Sequence, residues 1–162
     1  MAQKAYQSSF SKPRIDNSSV TILQSEWHHQ ITDLIVRYAT EILEKHGARV
    51  TLISVPGCME LPITAQWIAR QSEKPDAIIA IGIILKGDTD HYVTVRDGAI
   101  SGLVRVMLDE SIPILNEILP VFDIAQAHAR ASADEHNKGI EAAHACIDII
   151  NLKRSLDSKA ST

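Results

Sequence analysis

The sequence is short of aromatic residues: two Trp, three Tyr and two Phe, 4% of 162 positions. A core must therefore be built from Ile, Leu, Val and Ala. Cysteine is nearly absent as well. Cys58 and Cys146 are too few for a disulfide framework and lack metal-type spacing, which fits a reducing compartment, the cytoplasm. No apolar run approaches the ~20 residues that span a bilayer, so no membrane association is expected. No N-terminal apolar segment reads as a secretory signal. Charge of one sign is not in excess either. The net charge is −4 with no basic stripe, which argues against a nucleic-acid partner. What is present is ordinary for a globular chain: 45% hydrophobic and 22% charged residues, in a length that suits one domain.

The ends differ from the middle. Residues 1–19 are rich in Ser, poor in acids and low in aliphatic side chains. They read as a flexible N-terminal tail. A transit peptide shares this composition but needs an amphipathic helix that the segment lacks. Residues 156–162 read as a polar C-terminal tail. The domain is then 20–155.

Within it, strand-like and helix-like segments alternate. Val20–Leu23 is a short β-rich run. Ile31, Leu34, Ile35, Tyr38 and Ile42 follow at helical spacing, stopped by Gly47. Arg49–Val55 is a second strand, ended by Pro56-Gly57. Pro62 opens a short helix to Arg70, because a first-turn proline loses no helical bond. Ala77–Leu85 is almost wholly apolar, as in a strand covered on both faces. Ile100, Leu103, Val104, Met107 and Leu108 mark a long helix. Ile112–Leu119 reads as the fourth strand, and Asp123 caps a helix to Arg130. Ile140, Ala143, Ile147 and Ile150 mark the last helix. Such alternation predicts an α/β fold with one four-stranded parallel sheet between two helical layers.

Ligands of such sheets bind beyond the carboxyl ends of the strands. The turns to search are Ser25–His28, Pro56–Pro62, Lys86–His91, Asn116–Phe122 and the loop near Asn137. Gly87-Asp88-Thr89 follows the central strand. There a glycine admits close backbone approach and helix-start N–H groups attract anions, although most such turns merely connect elements. His91 sits beside that helix start, where a neutral, base-competent imidazole is favoured; it is equally a surface histidine. Trp27 is placed either to stack on a flat ring or to staple a helix or subunit contact. Glu60, between two prolines, either accepts bonds from ligand hydroxyls or is solvated. Arg130 is either a bidentate phosphate ligand or a cation complementing a helix end. Lys138 neutralises an oxyanion or faces water. Neither cysteine has a histidine at catalytic spacing, so no thiol nucleophile is expected. The residues alone give a domain whose turns suit a phosphorylated, partly planar ligand, and no named reaction.

Val55-Pro56-Gly57-Cys58-Met59-Glu60-Leu61-Pro62 resembles a motif of the lumazine synthase family. So does the run Ile81-Gly82-Ile83-Ile84-Leu85-Lys86-Gly87-Asp88-Thr89-Asp90-His91-Tyr92. Gln126-Ala127, Arg130 and Asn137-Lys138-Gly139 follow at the family's intervals. The order holds from about residue 20 to 152, and linked motifs are far more specific than one. The resemblance implies a flavodoxin-like three-layer sandwich. It also implies the condensation of 5-amino-6-(D-ribitylamino)uracil with 3,4-dihydroxy-2-butanone 4-phosphate, a step of riboflavin biosynthesis that uses no metal or organic cofactor. Trp27 matches the aromatic that stacks on the pyrimidine. Cys58, Met59 and Glu60 match the ribityl-binding turn, and Ile84 and Leu85 the backbone beside the pyrimidine. Gly87, Asp88 and Thr89 match the turn beside the phosphate, and His91 the proton-transfer histidine. Arg130 matches the phosphate-binding arginine and Lys138 the lysine near the ring. The family draws Asn116, Arg130 and Lys138 from a neighbouring subunit, so it implies a homopentamer or a pentamer-based assembly.

The chain departs from the pattern at Met59, where the family has an aromatic, and at Asn116, where many members have Phe. Glu117 and Pro120 replace a common Gly and Thr, and a buried Glu117 would need a partner. Two other roles are compatible with the scaffold: a non-catalytic flavin or lumazine binder, and a shell-forming protein. Intact His91 and Arg130 argue against a pure binder, which needs neither a proton shuttle nor a phosphate clamp.

Overall fold

The computed structural model of the chain describes residues 13–160. Residues 1–12, most of the expected N-terminal tail, lie outside the described residues, as do residues 161–162.

Strand β1 (Ser19–Ser25) leads into helix α1 (His29–Lys45) and strand β2 (Arg49–Val55). A single 3-10 turn at Cys58–Glu60 runs into α2 (Leu61–Ala69). Then come β3 (Ala77–Leu85), α3 (His91–Asp109), β4 (Ile114–Val121), α4 (Ile124–Arg130) and α5 (Lys138–Ala160). The four strands pair in parallel in the order β2-β1-β3-β4. This is the flavodoxin-like three-layer sandwich that the motifs implied.

Strand period sorts the core into two faces. Ile79 and Ile81 of β3 point with Val20 and Ile22 of β1 toward α1, α4 and α5, where Ile35, Leu43, Ala127 and Ile147 complete the layer. Ile78, Ala80 and Ile84 point the other way, onto Leu61 and Ala65 of α2 and Ala99 and Leu103 of α3. On α1, Ile31, Ile35, Ala39 and Leu43 recur every fourth residue and are all buried. Gly47 ends that helix with φ 91, a left-handed conformation that glycine adopts without strain. The Asp123 carboxylate accepts the Ala125 N–H at 2.8 Å and caps α4 as expected. Asn137 does the same for α5, its Oδ1 accepting the N–H of Gly139 at 2.8 Å.

The fourth strand lies two residues later than the sequence pattern suggested, so most of the expected turn at Asn116–Phe122 is strand. Ser111 leaves α3 at φ 49, and the Ile112 N–H closes back onto the Met107 carbonyl at 3.2 Å. Extended pairing therefore starts only after Pro113. Pro120 is accommodated because β4 is an edge strand with one unpaired side.

The ends also differ from the composition-based reading. Residues 13–19 are held in place. Ile15 is fully buried, and its N–H donates to the His46 carbonyl at 2.8 Å. Arg154 on α5 donates to the Asp16 carbonyl at 2.9 Å and to Ser18 Oγ at 2.7 Å. One isoleucine among serines is invisible to a composition count but is enough to anchor the segment. At the other end, α5 continues as exposed helix through Ala160, past the expected start of the tail at 156.

Candidate active site

A cleft of about 430 Å3 opens at the carboxyl ends of β1, β2 and β3. It gathers Trp27, Cys58, Met59, Glu60, Ile84, Leu85 and His91. Trp27 lies in the turn after β1 with 69% of its surface exposed, so its ring is free to receive a ligand. That turn is tied to the next strand by the Glu26 N–H, which donates to the Val55 carbonyl at 2.9 Å. Cys58 fits below because Gly82 of β3 has no side chain. A Cβ there would come within 2.5 Å of Cys58 Sγ and 3.0 Å of Ser25 Oγ. The Cys58 sulfur lies 3.8 Å from Ser25 Oγ, and burial pushes its thiol up to about 11. It remains a protonated floor group at neutral pH. Met59 is half exposed and leans on α3, with Sδ and Cε each 3.3 Å from a Cβ position at Gly98. Its flexible thioether covers the wall that an aromatic ring would otherwise form.

The connection from β3 to α3 is exposed throughout. A side chain at Gly87 would meet nothing within 4 Å among the described residues, so the glycine leaves open approach to the backbone. Asp88 and Thr89 share this exposed turn beside the cleft, whose wall stops at Leu85 and resumes at His91. Thr89 Oγ1 accepts the His91 N–H at 3.4 Å. His91 is the first residue of α3 and is exposed, so a bound molecule can reach its ring.

Asn116, Arg130 and Lys138 are not brought to this cleft. Asn116 lies exposed on edge strand β4, its Oδ1 accepting the Ile118 N–H at 3.2 Å. Arg130 ends α4 and lines a second cleft of about 470 Å3 with Pro120, Gln126 and His136. Lys138 starts α5 and pairs with Glu141 at 2.8 Å. Burial pushes the Glu117 carboxyl up to about 7, against the pull of Lys138 and with the repulsion of Glu141. The attraction of Lys138 therefore does not offset the burial of Glu117. One chain therefore presents two separate groups of candidate residues, one on the β1–β3 side and one by β4.

Sequence reasoning missed some lining residues. His28 ends the Ser25–His28 turn and lines the first cleft with left-handed backbone, φ 59. Val95 follows His91 by one helical turn on the same face. His136 lines the Arg130 cleft just before the Asn137-Lys138-Gly139 motif. Adjacency to a named residue was the available signal in each case. Among the described residues, no group of three or more His, Cys, Asp or Glu is placed to hold a metal ion. No described helix is long and apolar enough to cross a membrane.

Comparison with known sequences decides the family. The family model of 6,7-dimethyl-8-ribityllumazine synthase matches residues 17–154. The chain belongs to the 6,7-dimethyl-8-ribityllumazine synthase family. It is 39% identical over 144 residues to the 6,7-dimethyl-8-ribityllumazine synthase of Stenotrophomonas maltophilia strain K279a, covering 87% of this chain and 92% of that one. It is 40% identical over 138 residues to that of Xanthomonas euvesicatoria pv. vesicatoria strain 85-10, covering 83% and 89%. Against that of Leuconostoc mesenteroides subsp. mesenteroides the identity is 34% over 145 residues, covering 88% and 92%. The match to the lumazine synthase family spans all four strands, both clefts and the segments that carry the quoted motifs.

Proposed function

We propose that the chain condenses 5-amino-6-(D-ribitylamino)uracil with 3,4-dihydroxy-2-butanone 4-phosphate. The products are 6,7-dimethyl-8-ribityllumazine, phosphate and two molecules of water. The observation that carries this reading is the convergence of Trp27, Glu60 and His91 on one cleft at the carboxyl ends of the strands. The Trp27 indole stacks on the pyrimidine, and the backbone at Ile84 and Leu85 borders its edge. The turn at Cys58, Met59 and Glu60 receives the ribityl chain, the Glu60 carboxylate accepting from its hydroxyls. His91 exchanges protons with the amino group and carbonyl as an imine forms, phosphate leaves and the ring closes. The remainder of the acceleration comes from holding two substrates in register.

The phosphate is received by the turn at Gly87, Asp88 and Thr89 together with an arginine. Arg130 supplies that arginine from a neighbouring copy, along with Asn116 and Lys138, so the working unit is a homopentamer or a pentamer-based assembly. The separation of the two clefts within one chain supports a shared site. A cytoplasmic location fits the two unpaired thiols.

The test is lumazine formation, followed by absorbance and fluorescence against a blank without protein. His91→Ala and Arg130→Ala are then each assayed alone and after joint refolding. Mixed assemblies contain interfaces that pair an intact His91 with an intact Arg130, so mixing restores part of the activity. No acceleration by the wild-type protein refutes the reaction. No recovery on mixing refutes the shared site.

A further inference from the structure

The geometry points to His136 as a second phosphate-binding side chain, acting beside Arg130. The inference rests on the reading of Arg130 as the phosphate ligand of the shared site. Nothing in the family motifs quoted above includes position 136.

The Arg130 cleft is walled by Leu119 and Pro120 of β4, by Gln126, Ala129 and Arg130 of α4, and by His136 of the following loop. No carboxylate contributes to that wall. Among the described residues Arg130 has no ion-pair partner. An unpaired guanidinium in a recess is available to an incoming anion in bidentate geometry. Gln126 adds a donor. Its Oε1 accepts the Phe122 N–H at 2.9 Å, which commits the oxygen and leaves the amide NH2 to face a ligand. The polar side chains of the cleft are thus a guanidinium, an amide donor and an imidazole. A wall of donors without an acceptor of negative charge suits a phosphate group.

The loop that carries His136 is braced. Ser132 Oγ donates to the Ala129 carbonyl at 2.9 Å, and Asn137 Nδ2 donates to the Ser132 carbonyl at 2.8 Å. The Asn137 N–H donates to the Asp134 carbonyl at 3.0 Å. Asn137 itself is fully buried and caps α5. Asp134 accepts the His136 N–H at 2.9 Å and the Ser132 hydroxyl at 3.0 Å, which holds its carboxyl below the usual range. Of these braces only the Asp134 contact touches His136, and it engages the main-chain N–H, so the imidazole is left for ligand. A ligand group on a braced loop loses little entropy on binding.

The test measures binding of inorganic phosphate to the intact protein by calorimetry, in wild type, His136→Asn, His136→Gln and Arg130→Ala. Losing one charge-assisted hydrogen bond weakens binding about tenfold, so both His136 variants should bind phosphate about tenfold more weakly. Their KM for the butanone phosphate should rise in step while the KM for the pyrimidine stays within about twofold. Thermal stability should not change, because the braces do not involve the ring. Wild-type phosphate affinity in both His136 variants, with loss only in Arg130→Ala, overturns the proposal and leaves the Arg130 reading standing. Unchanged affinity in Arg130→Ala removes the phosphate from this cleft and overturns both. A fall in melting temperature without a change in phosphate affinity makes His136 a structural residue and also overturns it.

Discussion

The Glu60 carboxylate and the Trp27 indole meet over Gly57. A Cβ at Gly57 would lie 3.0 Å from Glu60 Oε2 and 3.6 Å from Trp27 Cδ1. An acceptor for hydroxyl groups and an exposed aromatic face thus share one corner of the cleft. A ligand made of a flat ring with a polyol branch can engage both at once. Trp27→Ala and Glu60→Gln should each raise the KM for the ribityl pyrimidine by about tenfold. The KM for the butanone phosphate should stay nearly constant. Because one molecule bridges both groups, the double variant should lose less than the product of the single losses. Steady-state kinetics of the three variants test this: strictly multiplicative losses would mean that the two contacts act independently, and a rise in the KM for the butanone phosphate instead would take them off the pyrimidine.

His91→Ala should lower turnover by roughly 10–10³-fold, the range for losing one proton-transfer group. His91 is exposed at the start of α3, so its removal leaves no cavity and the fold should be unaffected. Single-turnover measurement of lumazine formation checks the effect. Wild-type turnover would take His91 out of the chemistry.

How much of this was legible in the sequence differs from element to element. Arg49–Val55 and Ala77–Leu85 were readable to the residue, because a β-rich run between turn formers and an unbroken apolar run leave little choice. The start of β4 was misplaced because Ile112, apolar and β-branched, looks like strand. Its place is decided by the left-handed exit at Ser111, which no pattern marks. Ile15 was lost in a serine-rich segment for a similar reason, since its burial depends on His46 and α5, both distant in sequence. In the site, residues on turns after strands were legible through spacing. The separation of Arg130 and Lys138 from His91 followed only from the family resemblance, because linear spacing carries no information about which copy a residue serves. A buried Glu117 needs a partner; Lys138 at the start of α5 attracts it but is ion-paired with Glu141, so burial prevails and the carboxyl is pushed up to about 7.

Gly82→Ala tests the packing beneath the cleft. The added methyl would collide with Cys58 Sγ and crowd Ser25 Oγ in a strand that is buried on both faces. Overpacking of this kind should cost about 1–3 kcal/mol of unfolding free energy. Adding Cys58→Ala removes the sulfur and should recover part of the loss. Urea denaturation of the single and double variants provides the measurement. A harmless Gly82→Ala would show that the floor yields.

Glu117 gives the fold a pH dependence with a definite sign. Its carboxyl rises from an ordinary 4.5 to about 7, so between these values the folded chain holds more protons than the unfolded one. Stability therefore falls as pH rises through that window. Glu117→Gln keeps the shape and cannot ionise. It should be nearly neutral at pH 4.5 and more stable than wild type at pH 8. Chemical denaturation at the two pH values tests it, and equal effects at both would mean that the carboxyl does not titrate in this range.

The place of α5 in the chain has a consequence for how the protein is made. This helix completes the layer over Ile79, Ile81 and Val20, and it is the last element of the fold to be synthesised. Until it arrives, the all-parallel sheet, already slow to assemble because each strand pairing spans a crossover, has one apolar face without its final cover. A growing chain paused between α4 and α5 is therefore the species most exposed to aggregation.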